Sequence, residues 1–189
     1  MGYTGGTTEN PTYRNLGDHT ETVEIDYDPS VISFEKLLDV FWETHDPVGR
    51  TGSRQYMSIV FYRGEEQKNA AIRSKDRESA RRNARVVTEI LPASRFYLAE
   101  GYHQKYALRR MPELMKEYEA IYPSLRDLLA STAVSRVNGY VAGHGTCEML
   151  REEIDGLGLS SAGRKKLADI VCAYERNPGL WTGATCPLH

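Results

Sequence analysis

Cysteine is scarce in this chain and is confined to one end of it. Only three of the 189 residues are cysteines, and all lie in the last quarter: Cys147, Cys172 and Cys186. No basic and then apolar segment follows Met1, as it would in a secretory signal. A few unevenly placed thiols without such a signal are typical of a reduced, cytosol-like compartment. We therefore expect a cytoplasmic protein without an internal disulfide, unless a targeting segment precedes Met1.

Long apolar runs and a charge excess of one sign are also missing. No apolar run approaches the ~18 residues that a membrane span requires. The formal net charge is −2, which argues against a nucleic-acid-binding surface as the main function. The apolar content of 40% is typical of a globular protein, and 189 residues suffice for one domain with an appendage. We expect neither a membrane nor a nucleic acid as a partner.

The periodicity of the first hundred residues predicts a mixed α/β fold. Val23, Ile25 and Tyr27 alternate with polar residues, which is the pattern of a half-buried strand. Ser33 can cap a helix over 34–42, whose apolar residues recur at helical spacing. The further predicted elements are a buried strand over 56–62, an exposed helix over 64–85 and a strand over 86–91. Strands that alternate with helices in this way predict a layered α/β sandwich.

The pattern changes to helix from Pro112 onward. Apolar residues at helical spacing follow this proline, a glycine-rich loop is predicted over 138–147, and an amphipathic helix is predicted over 160–174. We therefore expect an α/β domain over residues 1–110 and a helical extension with a glycine-rich tail over residues 111–189.

Three arginines of the predicted helix 64–85 share one face, because Arg77, Arg81 and Arg85 are four residues apart. Such a stripe can bind phosphate. A solvated face whose arginines pair with nearby acids is the more common arrangement, and we expect it here.

Five short motifs occur in a fixed order between residues 2 and 106. They are Gly2-Tyr3-Thr4-Gly5-Gly6, His19-Thr20-Glu21, Phe41-Trp42-Glu43-Thr44-His45-Asp46-Pro47, Gln55-Tyr56-Met57-Ser58 and Ala99-Glu100-Gly101-Tyr102-His103-Gln104-Lys105-Tyr106. In this order they resemble the motifs of peptide methionine sulfoxide reductases of the A type. The resemblance implies a ferredoxin-like plait, no cofactor, and reduction of the S epimer of free or protein-bound methionine sulfoxide, with thioredoxin as the reductant if the chain is active.

The resemblance also implies a set of site residues. The family holds the sulfoxide oxygen with a glutamate and tyrosines, which by motif position are Glu21, Tyr3 and Tyr56. The residues implied in substrate binding are Gly5, Gly6 and His19. A buried carboxylic acid is a good proton donor because desolvation disfavours its charged form. The alternative is that Glu21 is a surface acid and both tyrosines are ordinary core residues.

Several family residues are replaced or missing. The family's nucleophilic cysteine lies in a Gly-Cys-Phe-Trp-Gly segment ahead of the first motif, and this sequence has no counterpart of it. Asp18 stands in place of a glycine, Met57 in place of an arginine, and the loop over 48–54 has no acid. We expect either an incomplete gene product, inactive by the family mechanism without that cysteine, or a pseudoenzyme that binds methionine or methionine-sulfoxide peptides.

The last cysteines are candidate redox thiols. The range 138–147 resembles the family's glycine-rich recycling tail, with Val141 at the first resolving position and Cys147 near the second. Cys186 precedes a proline, as in the terminal motif of the family. Either Cys147 or Cys186 could exchange with an active-site thiol, and a third hypothesis is that one of the cysteines has been recruited as the nucleophile. Cys172 lies beside an apolar helix face and is predicted to be structural.

A zinc site is a competing interpretation of the same region. His144 and Cys147, like Cys186 and His189, are separated by two residues, as in zinc knuckles. The flanking residues carry no other sign of a zinc finger, so we expect no metal. His45, which lies in a family motif, is predicted to orient its neighbours rather than to perform catalysis.

Overall fold

The computed structural model describes residues 1–49 and 52–176. It divides into two compact units, Met1–Glu100 and Gly101–His189. The first unit contains every strand of the described residues, and the described part of the second unit is built from helices. The predicted mixed α/β class with a helical C-terminal part is therefore confirmed. The division into domains over 1–110 and 111–189 stays a prediction.

The first unit combines two small sheets with two helices. Its elements are β1 (Gly2–Thr4), β2 (Thr20–Thr22), α1 (Phe34–Glu43), a 3-10 turn (Arg54–Tyr56), β3 (Ile59–Tyr62), α2 (Gly64–Arg82), β4 (Glu89–Pro92) and β5 (Tyr97–Leu98). One sheet is antiparallel with the strand order β2-β1-β5, and the other pairs β3 with β4 in parallel through the α2 crossover. The predicted helices are confirmed, with α1 one residue longer and α2 three residues shorter than predicted, and the strands around residues 60 and 90 are confirmed with shorter bounds.

Helix α1 packs its apolar side against α2 and β3. As predicted, Ser33 caps it, since the Ser33 hydroxyl accepts a hydrogen bond from the Lys36 N–H over 3.2 Å. Leu38 and Trp42 are buried in a core shared with β3 and α2, and the Trp42 indole N–H donates to the Ser74 hydroxyl over 3.1 Å. These contacts fix α1 and α2 relative to the parallel sheet.

The predicted arginine face of α2 pairs with an acid. Glu78, whose side chain is only 6% exposed, accepts hydrogen bonds from the Arg81 and Arg82 guanidiniums. These two partners lower the pKa of Glu78 to about 2. Arg82 also donates to the Trp42 carbonyl over 3.2 Å. The expectation of acid-paired arginines is confirmed at Arg81, whereas Arg85 lies beyond the helix, which ends at Arg82.

The strand predicted around Val23, Ile25 and Tyr27 is wrong. Only Thr20–Thr22 forms β2, and Val23 and Ile25 are 61% and 55% exposed. The alternating pattern correctly marks an extended segment, but a strand also requires a neighbour, and no described strand pairs with residues 23–27. These residues instead border a cavity of about 540 Å³ together with α1 and β3.

The described part of the second unit is a helical cluster around one apolar core. Its helices are α3 (Tyr106–Arg109), α4 (Pro112–Ile121), α5 (Leu125–Ala130), α6 (Thr132–Val141), α7 (Cys147–Glu153) and α8 (Ser161–Arg176). The largest fully buried side chains are Leu108, Leu114, Tyr118, Leu150 and Leu167. The buried Tyr118 hydroxyl donates to the Leu157 carbonyl over 2.7 Å, so the core leaves this hydroxyl satisfied.

The glycine-rich loop predicted over 138–147 is partly wrong, because its first four residues belong to α6. The Ser131 hydroxyl caps this helix, and Val134, Val137 and Val141 bury one of its faces. Burial of an apolar stripe outweighs the weak helix propensity of Gly139.

A disulfide joins the beginning of α7 to α8. It links Cys147 to Cys172, whose Cα atoms are 4.9 Å apart. The Cys147 N–H also donates to a Glu175 carboxylate oxygen over 2.6 Å, so α8 holds this helix end twice. The expectation of a chain without an internal disulfide is wrong, and the disulfide leaves Cys147 unavailable to the zinc knuckle that was the competing interpretation. Cys186 and His189 lie outside the described residues.

Thiol counting tests this disulfide. Because one bond consumes two of the three cysteines, alkylation of unreduced, denatured protein should detect one thiol. Cys147→Ser should release its partner and raise the count to two, whereas Cys186→Ser should lower it to zero. Reduction should also destabilise the helical unit by about 3.5 kcal/mol, the chain-entropy value for a loop of 25 residues. Three reactive thiols in the wild-type protein would contradict the assignment.

Candidate active site

Glu21 has one fixed and one unused carboxylate oxygen. Its Oε1 accepts a hydrogen bond from the Gln55 side-chain amide over 2.5 Å. Its Oε2 is buried and has no hydrogen-bond partner among residues 1–49 and 52–176. The Thr20 hydroxyl donates to the Arg54 carbonyl over 3.0 Å, which holds the 3-10 turn against β2. A buried oxygen without a partner costs about 1–3 kcal/mol, so it indicates a place for a ligand.

Tyr3 lies directly opposite Glu21 in the β1–β2 ladder. Residues paired in this way present their side chains on the same face of a sheet. The Tyr3 side chain is buried, and its hydroxyl donates to Glu100 Oε2 over 2.7 Å. The other Glu100 oxygen accepts from the Tyr13 backbone N–H over 3.0 Å. The hydroxyl proton of Tyr3 is thus committed to Glu100, a residue that the sequence analysis did not single out.

Tyr56 enters the same region through the 3-10 turn. It directly follows Gln55, whose amide holds Glu21, and it is 36% exposed. The fold therefore brings the β1–β2 ladder and the turn of Tyr56 together. Gln55 belongs to a recognised motif, but its part in holding Glu21 depends on a contact across 34 residues that sequence spacing does not reveal. The chemical roles of Glu21, Tyr3 and Tyr56 stay predictions.

Gly5, Gly6 and His19 shape the loop between β1 and β2. Gly5 has a φ of +82°, and a Cβ added there would lie 2.7 Å from the Phe61 ring. A Cβ at Gly6 would lie 2.5 Å from Asp18 Oδ1. His19 is buried, with Nδ1 accepting from the Gly6 N–H over 3.2 Å and Nε2 donating to the Thr8 carbonyl over 2.7 Å. Both ring nitrogens are therefore used inside the loop.

Asp18 explains one departure from the family motif. Its carboxylate accepts hydrogen bonds from the backbone N–H and the hydroxyl of both Thr7 and Thr8, over 2.8–3.1 Å. These donors, led by the Thr8 and Thr7 backbone N–H groups, hold the pKa of Asp18 well below its ordinary value. The aspartate thus ties down the same loop that His19 holds from inside.

His45 links α1 to the parallel sheet. Its Nδ1 donates to the Phe41 carbonyl over 2.6 Å, so its Nε2 accepts from the Ser58 hydroxyl over 2.8 Å. The Ser58 oxygen in turn lies 2.8 Å from the Thr88 hydroxyl. Burial is the main cause that lowers the pKa of His45. These bonds agree with the prediction that His45 orients its neighbours, and its role stays a prediction.

The first unit supplies no thiol to this site, because residues 1–100 contain no cysteine. Cys147 and Cys172 are bound to each other in the second unit. Cys186, the other candidate redox thiol, lies outside the described residues.

Within 1–49 and 52–176, no three acidic, histidine or cysteine side chains come together as a metal ion would require. No described helix is both long and apolar enough to cross a membrane.

The close approach at Gly5 yields a stability prediction. Gly5→Ala should destabilise the protein by about 1–2 kcal/mol, because an L-residue is strained at this positive φ and its methyl group would press on Phe61. Gly52→Ala is the matched control, since a Cβ there meets no atom within 4 Å, and it should change stability by less than about 0.5 kcal/mol. Chemical denaturation measures both. Equal effects would contradict the packing described for the loop.

The lowered pKa of Asp18 predicts how its contribution varies with pH. A carboxyl group whose pKa is lower when folded stabilises the fold above its unfolded pKa of about 3.9, and this contribution is lost as pH falls through the folded value. Asp18→Asn should therefore lower the thermal midpoint at pH 7, and the difference from wild type should shrink as the pH is lowered below about 4. A difference that persists unchanged at acidic pH would show that the carboxylate charge is not involved.

Comparison with known proteins places the whole motif region in one family. A family model described as peptide methionine sulfoxide reductase matches residues 1–133. The peptide methionine sulfoxide reductase of Drosophila melanogaster is 44% identical over 184 residues, which are 95% of this chain and 71% of that protein. Peptide methionine sulfoxide reductase A5 of Oryza sativa subsp. japonica is 41% identical over 148 residues, covering 75% of this chain and 58% of that protein.

Two further relatives come from microorganisms. Peptide methionine sulfoxide reductase MsrA of Methanothermobacter thermautotrophicus is 49% identical over 117 residues, which cover 56% of this chain and 69% of that protein. The crystal structure of Mxr1 from Saccharomyces cerevisiae in an unusual oxidised form has a TM-score of 0.46 at 28% identity, covering 57% of this chain and 63% of that one. The family match over most of the chain, together with the Drosophila relative, shows that the chain belongs to the peptide methionine sulfoxide reductase family.

Proposed function

We propose that this chain binds the S epimer of methionine sulfoxide, free or in proteins, with the sulfoxide oxygen at Glu21. The observation that carries the proposal is the buried Oε2 atom of Glu21, which has no partner in the described residues. Family membership and the names of the relatives support the substrate class.

The bond from Gln55 determines which oxygen of Glu21 can donate a proton. The Gln55 amide is a donor, so Oε1 must accept, and a protonated Glu21 carries its hydrogen on Oε2. That hydrogen is then the donor for a bound sulfoxide oxygen. Tyr56 is the proposed second donor, whereas Tyr3 acts as a neighbour whose hydroxyl donates to Glu100.

Reduction of a sulfoxide also requires a thiol. The thiolate attacks sulfur, the oxygen passes to the thiol as a sulfenic acid, and the substrate leaves as the thioether methionine. A second thiol then displaces water from the sulfenic acid to form a disulfide, which a dithiol reductant of the thioredoxin class would reduce. Glu21 supplies the proton that the oxygen needs, but no carboxylate or phenol can replace the thiol.

The polypeptide of residues 1–189 is therefore proposed to bind the sulfoxide without turning it over. Its first hundred residues have no cysteine, and Cys147 and Cys172 are joined in a disulfide. The competing proposal is a pseudoenzyme of the cytoplasm that binds methionine or methionine-sulfoxide peptides, and it makes the same binding prediction. A reductase site gains turnover when a thiol nucleophile is joined to it, whereas a pseudoenzyme site does not.

Binding measurements on Glu21 variants test the site. Glu21→Ala should weaken the binding of N-acetyl-S-methionine sulfoxide about 10-fold, as expected for one lost hydrogen bond from an acid. Glu21→Gln should stay within about 3-fold of wild type, because its amide also donates, yet it cannot supply a proton. Glu119→Gln, at an exposed position of α4, controls for the change in charge. Titration calorimetry measures all three, and unchanged binding in Glu21→Ala would exclude Glu21 as the oxygen site.

A turnover assay with dithiothreitol completes the test. The wild-type chain of 189 residues should release no methionine from the S-sulfoxide. Turnover would instead show that a cysteine of the second unit has been recruited, and separate Cys147→Ser, Cys172→Ser and Cys186→Ser variants would identify it.

A further inference from the structure

A second cavity of the first unit is lined mainly by polar groups. It has a volume of about 370 Å³ and lies where α2, the segment leading into β4 and the residues before β3 meet. The residues that line it include the cations Lys75 and Arg85, the acid Glu89 and the apolar residues Met57 and Val87. The volume suits a small molecule rather than a macromolecule.

The two cations of this cavity have no acidic partner. Among the described residues, neither Lys75 nor Arg85 forms an ion pair within 4.0 Å. The half-buried Lys75 ammonium donates one of its three hydrogens to the carbonyl of Thr88, over 2.5 Å. Arg85 is exposed at the rim. On the same helix as Lys75, Arg81 and Arg82 by contrast share Glu78.

The single acid of the lining is already neutralised. Glu89 Oε2 lies 3.0 Å from Arg54 Nη1, in an ion pair in which both side chains are about one-third exposed. Ser58 also lines the cavity, and its hydroxyl is engaged by His45 and Thr88. Within the part of the chain that the structure describes, the positive charges of Lys75 and Arg85 are therefore not balanced by an acid. A cleft lined by one sign of charge attracts the opposite sign.

We propose that this cavity binds a small molecule carrying a carboxylate or phosphate group. Lys75 would supply a point charge from the half-buried wall, and Arg85 a planar fork that matches two oxygens of the anion. The body of the ligand would rest on Met57 and Val87. Met57 stands where the family has an arginine, so this wall is apolar in the present chain. The proposal uses none of the atoms assigned to the sulfoxide and does not depend on them.

Titration with simple anions tests the proposal. Inorganic phosphate and acetate are added separately to the full-length, isotope-labelled protein at constant ionic strength, and the backbone amide shifts of residues 86–89 are followed. We expect saturable shifts with at least one anion. Stronger binding of phosphate would identify a phosphate ligand, and stronger binding of acetate a carboxylate ligand.

Charge-removing variants separate a specific site from screening. Lys75→Gln and Arg85→Gln should each weaken anion binding about 10-fold, the loss expected for one charge-assisted hydrogen bond. Lys68→Gln removes the same charge from α2 at a position that pairs with Glu65 and does not line the cavity, so it should bind as wild type does. All variants should keep the wild-type thermal midpoint and affinity for N-acetyl-S-methionine sulfoxide. Shifts that never saturate, or that are equal in Lys75→Gln, Arg85→Gln and Lys68→Gln, would overturn the proposal.

Discussion

The pairing of β1 with β2 is the constraint on which the candidate active site depends. It places Tyr3 opposite Glu21, although a loop of some fifteen residues separates the two strands. Closing such a loop costs entropy, and the chain offsets this cost with fixed contacts inside it. At the surface of the loop, Asp18 accepts hydrogen bonds from Thr7 and Thr8. The buried His19 ring bonds to the Thr8 carbonyl. The loop therefore acts as an ordered support for a short ladder of three residue pairs.

Buried polar groups of the first unit fall into two kinds. Glu78 is nearly inaccessible but is satisfied by two guanidiniums, so its cost of burial is offset within the protein. Glu21 Oε2 has no such compensation in the described residues. It is therefore the buried group of this unit at which a ligand is most reasonably sought.

The features that the sequence predicts well are local or belong to ordered motifs. Helix α1 follows from its own apolar spacing and from the cap at Ser33, both of which lie within a few residues. The segment around Ile25 was misassigned because strand formation depends on a partner strand that its own pattern does not specify. The bond from Gln55 to Glu21 and the disulfide of Cys147 share this dependence on distant parts of the chain. Motif order thus predicts the candidate site, whereas its hydrogen bonds are visible only in the three-dimensional structure.

The link between Cys147 and Cys172 changes what a cut in the backbone means for the helical unit. The bond spans 25 residues, which include the turn with two glycines, Gly156 and Gly158, between α7 and α8. A protease that cleaves this turn would leave both fragments covalently attached, and the apolar contacts of α7 and α8 with the shared core would still hold them in register. Such a nicked protein would migrate as one species until its disulfide is reduced. Persistence after proteolysis would then depend on the redox state of the surroundings as well as on folding stability.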